Sequence, residues 1–129
     1  MRRIGAVRDD ALVALSVLIV DDHEDFRRSV RRLLEVDGFV VIGEAADGAE
    51  ALDMARALRP GIVLLDIQLP DLDGFAVAER LASLADPPTV VLISSRDASA
   101  YRSRIATSPA RAFISKQDLS GAQLTAIVG

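Results

Sequence analysis

The feature that most constrains this chain is an alternation. Short runs of Val, Leu and Ile recur at near-regular intervals: Val17-Leu18-Ile19-Val20, Ile62-Val63-Leu64-Leu65 and Val90-Val91-Leu92-Ile93. A run that is apolar at every position and rich in β-branched residues is the pattern of a strand buried on both faces. Weaker runs at 39–42 and 112–114 bring the predicted strands to five. Amphipathic stretches lie between them. Residues 24–37 carry Phe26, Val30, Leu33 and Leu34 at helical spacing, and Gly38 closes that helix. Asp47-Gly48 opens a second helix with Ala51, Met54, Ala55 and Leu58 on one side, and Pro60-Gly61 stops it. After a turn at 70–74, a third helix carries Phe75, Ala78, Leu81, Ala82 and Ala85 up to Pro87-Pro88. Asp97 is placed to cap a fourth through about Ala106, broken by Ser108-Pro109, and a fifth is expected over 118–128. Strand–helix alternation repeated five times predicts a doubly wound α/β fold, a parallel sheet with helices on both faces. Residues 1–14 are expected to be an N-terminal extension and 15–129 the domain itself.

Composition removes several classes of function. The 129 residues contain no Cys, so a disulfide framework, a thiolate metal site and a cysteine nucleophile are excluded. One His cannot build a multi-histidine zinc site. A formal net charge of −4 without a basic stripe makes nucleic-acid binding by this chain unexpected. The apolar stretch 11–20 follows Arg2, Arg3 and Arg8, as a signal peptide would. Asp9-Asp10 and Asp21-Asp22 flank it, though, no small-residue cleavage site appears, and it is too short to span a bilayer. The expectation is a soluble, cytoplasmic protein with no membrane partner. Fourteen of the fifteen basic residues are Arg, leaving Lys116 as the lone amine.

In doubly wound sheets ligands bind beyond the carboxyl ends of the strands, where strand order reverses. The residues there are Asp21-Asp22-His23-Glu24 after strand one, Asp66 after strand three, Ser94-Ser95 after strand four and Lys116 after strand five. Three carboxylates from two neighbouring strand ends repel unless something positive neutralises them. A hard cation with oxygen ligands, such as Mg²⁺, suits that set, and it favours carboxylates together with phosphate oxygens. The Ser94 hydroxyl and the Lys116 ammonium supply what a phosphoryl group's oxygens need, and a carboxylate is left as the acceptor.

With Asp21-Asp22, the Asp66-x-x-x-Pro70-x-x-Asp73-Gly74 run, Ser94 and Lys116 in this order, the chain resembles the receiver domain of two-component response regulators over roughly 17–128. The resemblance implies a flavodoxin-like sheet of order 2-1-3-4-5 with five helices. It implies Asp66 as phosphoacceptor, Mg²⁺ held by Asp22, Asp66 and the carbonyl of Gln68, and Asp21 acting directly or through a water. Lys116 and Ser94 would bind phosphoryl oxygens, Phe113 would be the aromatic switch, Pro70 and Gly74 would shape the loop, and Ser95 would influence access to the acyl phosphate. Implied partners are a histidine kinase or phosphotransfer protein and a downstream protein on the helix 4–strand 5–helix 5 face, with homodimerisation on phosphorylation. The module would signal rather than turn over a separate substrate, catalysing its own phosphotransfer and slow autodephosphorylation. An alternative is the receiver portion of a longer DNA-binding regulator with helix-turn-helix output, which the ending from Phe113 to Ser120 resembles. This sequence departs from the family in having Ser rather than Thr at position 94 and Ser-Pro-Ala over 108–110 where a Gly-containing turn is common.

Other chemistries on this fold fit less well. A haloacid-dehalogenase-type phosphatase would need Asp where Gln68 stands, and Asp21-Asp22-His23-Glu24 would repel a flavin phosphate. No Walker-type phosphate loop is present, and the acidic run at 71–74 lacks the EF-hand ligand positions. Asp71 and Asp73 are expected as turn and cap residues. His23, a conceivable base or metal ligand, is expected to open helix one near the pocket, and Arg27, Arg28, Arg31 and Arg32 to form its solvated face, with kinase docking as the lesser reading.

Overall fold

The computed structural model describes residues 15–128. The expected extension, 1–14, and Gly129 lie outside the described residues. The fully apolar runs are strands β1 (Ser16–Val20), β3 (Ile62–Asp66) and β4 (Thr89–Ser94), flanked by β2 (Val40–Ala45) and β5 (Ala112–Ser115). All neighbours pair parallel, in the order β2-β1-β3-β4-β5. The helices are α1 (Glu24–Val36), α2 (Gly48–Leu58), α3 (Gly74–Ala82), α4 (Arg102–Thr107) and α5 (Gly121–Val128). This is the flavodoxin-like doubly wound architecture that the sequence predicts.

Burial explains why the central strands lack an alternating pattern. Leu18, Val20, Val63, Leu65 and Leu92 point into one core with residues of α2 and α3. Val17, Ile19, Leu64, Val91 and Ile93 point into the other, with Val30 and Leu34 of α1 and Leu124 of α5. Burying each such side chain is worth roughly 1.5–3 kcal/mol. The covered sheet therefore dominates stability.

Several boundaries move relative to the sequence reading. Strand β2 runs three residues beyond the predicted 39–42, through Gly43, Glu44 and Ala45. It is an edge strand with alternating burial, and its register against β1 skips Ile42. A bulge of that kind breaks a period-two pattern. Leu33, expected on the inner face of α1, is 36% exposed at its margin. Helix α3 ends at Ala82, short of Ala85. The predicted fourth helix is instead a 3₁₀ turn, Ala98–Tyr101, followed by the six residues of α4, and Asp97 makes no side-chain cap. The last helix begins at Gly121 rather than Asp118, because Lys116–Asp118 form a separate 3₁₀ turn. Asp47 and Asp73 do cap, accepting from the amides of Glu50 and Phe75.

Among the described residues no helix is long and apolar enough to cross a membrane. The chain passes from β1 out to β2 and returns to β3 on the other side. The carboxyl ends of β1 and β3 thus flank the crevice where strand order reverses.

Candidate functional site: an acidic pocket at the strand ends

Strand register brings the predicted residues together. Asp66 is the last residue of β3 and Asp21 directly follows β1. Both are buried, Asp21 completely and Asp66 to 3% exposure. Lys116, one residue past β5, reaches back so that its Nζ lies 2.5 Å from Asp21 Oδ2 and 3.4 Å from Asp66 Oδ2. Its ammonium also sits 4.4 Å from the ring centroid of Phe26 on α1. Lys116 gives up hydration as it packs in, but its hydrogen bond with Asp21 and the charges of both carboxylates raise its pKa above the ordinary lysine value.

One ammonium does not balance the two buried carboxylates. Burial, and secondly the charge of Asp21, push Asp66 up to about 6, against the pull of Lys116 and of the Gln68 amide. That amide donates to Asp66 Oδ1 at 3.2 Å, so the peptide before Gln68 lies beside the carboxylate. Asp22 is exposed at the mouth. Ligand atoms of Asp21, Asp22, His23 and Asp66 lie within 4.8 Å of one another. Clustered carboxylate oxygens with unbalanced charge are the donor set and electrostatics that Mg²⁺ fits.

Loop chemistry fixes this geometry. Gly74 opens α3 where the chain folds back on β3, and a Cβ there would stand 2.4 Å from the Asp66 carbonyl oxygen. A side chain cannot be accommodated, whatever its chemistry. Asp71, expected as a turn residue, does more than turn. Its two oxygens accept the amides of Gly48 and Ala49 at 2.7 and 2.9 Å, capping α2 from another loop. Those backbone hydrogen bonds hold its pKa below the usual value. Pro70 lies exposed in the same loop.

The remaining predicted residues lie on or just after β4 and β5. Ser94, 1% exposed at the end of β4, accepts the Arg96 amide at 3.0 Å. Ser95 is exposed beside it. Phe113 is half-buried on β5, its ring 6.4 Å from that of Tyr101, which in turn lies 5.8 Å from Phe75.

Two features sharpen the sequence reading. The His23 Nδ1 lies 3.0 Å from Asp21 Oδ1 and 3.1 Å from Asp22 Oδ1, so this residue belongs to the cluster as well as opening α1. Nor are all four arginines a solvated face. Arg27, with a side chain only 15% exposed, and Arg31 both bind Glu44 of β2. The available signal was a lone acid in an apolar edge run, opposite two basic residues one helical turn apart.

The family described as response regulator receiver domain matches residues 17–128. The chain belongs to that family, the receiver domains of two-component systems. A putative transcriptional regulator of Pseudomonas aeruginosa and the virulence factors putative positive transcription regulator BvgA of Bordetella pertussis are each 42% identical over 102 residues, covering 79% of this chain and 49% of theirs. The chain spans about half the length of these curated relatives. The signal receiver domain of the putative response regulator NarL from Mycobacterium tuberculosis superposes with a TM-score of 0.77 at 37% identity, covering 88% of this chain and 96% of that one.

Proposed function

We propose that this domain takes a phosphoryl group from the phosphohistidine of a partner kinase or phosphotransfer protein onto Asp66, with Mg²⁺, and signals through the resulting change of shape. The observation that carries the reading is the charge imbalance at Asp66: a buried carboxylate beside a second one, with a single ammonium shared between them. Such a site gains when a cation and a phosphoryl group enter together.

Asp22, Asp66 and the Gln68 carbonyl would hold the cation, with Asp21 direct or through a water. Bound there, Mg²⁺ would neutralise the carboxylates and the incoming phosphoryl oxygens. One Asp66 oxygen attacks phosphorus. The new O–P bond forms as the P–N bond to the donor imidazole breaks, and the imidazole leaves with the bonding pair and takes up a proton. Lys116 already lies within reach of Asp66 Oδ2 and would turn its ammonium to a phosphoryl oxygen. Ser94 would exchange its local bond to the Arg96 amide for another phosphoryl oxygen, drawing the end of β4 inward. Phe113 would then repack, altering the face of α4, β5 and α5 for a downstream partner or a second copy. Ser95 would govern access of water to the acyl phosphate.

A second reading extends the first. The relatives are named as transcriptional regulators and are about twice as long as the matched segment, which supports this segment's being the receiver portion of a DNA-binding regulator. We place the domain in the cytoplasm on the same grounds. The experiment uses acetyl phosphate and Mg²⁺, followed by borohydride, which reduces an acyl phosphate to the alcohol. Peptide mapping should find the converted residue at 66. Conversion elsewhere, or nowhere, overturns the assignment.

A further inference from the structure

The Arg27 side chain lies between α1 and the loop that carries the acids. Its Nη1 donates to the backbone carbonyl of Asp21 at 2.5 Å, and its Nε donates to Glu44 Oε1 at 3.0 Å. Arg31, one turn along α1, donates from its Nε to the other oxygen, Glu44 Oε2, at 2.8 Å. Glu44 is thus clamped by two guanidinium groups. Burial works against its ionisation, but the hydrogen bonds from Arg31 and Arg27 outweigh that and hold its pKa below the ordinary value. The carboxylate is therefore a fixed anion at neutral pH, and it fixes Arg27 in turn.

The consequence falls on the Asp21 peptide. Its N–H donates to the Ala45 carbonyl at the end of β2, 3.0 Å away. Its carbonyl is held by Arg27, which Glu44, the neighbour of Ala45, holds. Both backbone polar groups of Asp21 are therefore tied to the same two residues of the edge strand, one directly and one through a guanidinium. With its backbone fixed at both ends, Asp21 aims its carboxylate at Lys116 Nζ and at the His23 amide, which it binds at 2.8 Å. Asp22 follows in the chain, so its direction depends on the same anchor.

We infer that Arg27, oriented by Glu44, is a positioning residue for the acidic pocket: it sets the Asp21-Asp22 backbone so that the carboxylates meet a cation and a phosphoryl donor. Arginine is needed because its planar fork serves two acceptors at once, whereas a lysine ammonium on a flexible stem serves them poorly. The inference rests on the phosphoacceptor reading for its functional consequence, while the placement of the loop can be read independently.

The test compares Arg27→Lys and Arg27→Ala with wild type, and uses Arg28→Ala as control, since Arg28 is exposed and, among the described residues, pairs only along the helix with Glu24 and Asp25. Three quantities are measured on the full chain below every variant's melting temperature. They are Mg²⁺ affinity by calorimetry, phosphorylation rate with acetyl phosphate, and Mg²⁺-free amide resonances of residues 21–23. Both Arg27 variants are expected to bind Mg²⁺ about tenfold more weakly and to be phosphorylated more slowly by a similar factor, as when outer partners of a ligand are lost. The resonances of 21–23 should move and those of β5 should stay, while Arg28→Ala matches wild type. If Arg27→Ala fails to fold, Arg27→Lys carries the comparison. Unmoved resonances at 21–23, or wild-type Mg²⁺ affinity in a destabilised variant, would reduce Arg27 to a helix anchor and overturn the inference. A wild type that takes up neither Mg²⁺ nor phosphate, with resonances that still move, would sink the phosphoacceptor reading and the functional half of this one, leaving only the positioning.

Discussion

The acidic pocket and the face proposed as its output are built differently. At the pocket, Asp21, Asp66 and Lys116 are buried or nearly so, joined to one another, and backed by strands with no exposed residue. On the proposed output side, the 3₁₀ turn Ala98–Tyr101 and helix α4 contain no buried residue. They are held by the Tyr101 ring contacts, by Arg104 stacked 4.3 Å over Phe75, and by the pair Arg104–Asp73 at 2.8 Å. The pocket holds two carboxylates and one ammonium against buried strands, whereas the face proposed to move is half-buried at most, its Tyr101 and Ile105 packed at the margin of the core. A switch needs both: a large differential interaction at one end and a low-stability element at the other.

The largest effect should come from breaking the ammonium tie between the pocket's two buried carboxylates. Lys116→Met leaves Asp21 buried without its ammonium and should lower unfolding free energy by about 3 kcal/mol in Mg²⁺-free buffer, read by denaturant titration. Phosphate uptake should persist while the conformational response weakens. A loss below about 1 kcal/mol would mean that Lys116 does not hold the pocket together.

Asp66→Asn should act in the opposite direction. With its folded pKa near 6, against about 4 unfolded, Asp66 binds its proton more tightly in the native state. Its contribution therefore favours folding at low pH, is lost as pH rises from about 4 to about 6, and is flat above about 7. Asn has no such loss. The variant should be more stable than wild type at neutral pH by about 1–3 kcal/mol, with the gap closing below about pH 4. Thermal melts across that range, with and without Mg²⁺, test the sign, and Mg²⁺ should narrow the gap.

Smaller effects belong to the proposed output side. The Tyr101 hydroxyl is buried with no hydrogen-bond partner among the described residues. Tyr101→Phe should thus be neutral or stabilising by up to about 1 kcal/mol, whereas a clear loss of stability would reveal a partner in solution. Arg104→Ala removes an exposed pair and should change stability by no more than about 0.5 kcal/mol. Hydrogen exchange should nevertheless speed up over 98–107 and not over 62–66. Equal protection of the two segments would erase the contrast.

How much of this was legible in the letters follows the same division. The double-faced strands could be read because Val17-Leu18-Ile19-Val20 and its counterparts are apolar at every position, and the pocket because Asp21 and Asp66 directly follow such runs and Lys116 lies two residues beyond the weaker run 112–114. The edge and output elements were harder. In β2 a bulge at Ile42 and a charged Glu44 hide the strand. In the fourth helix an exposed 3₁₀ turn offers no apolar period to detect. Contacts across the fold, Asp71 capping α2 and Arg27 reaching Glu44, leave no local pattern because their partners are distant in sequence.

The central claim is that Asp66 accepts a phosphoryl group with Mg²⁺ present. The most direct measurement is intact mass after incubation with acetyl phosphate. Wild type should gain the mass of one phosphoryl group with Mg²⁺ and none when the cation is chelated, and Asp66→Asn should gain none in either case. A wild type that stays unmodified with Mg²⁺, or an Asp66→Asn variant that gains phosphate equally well, would contradict the account.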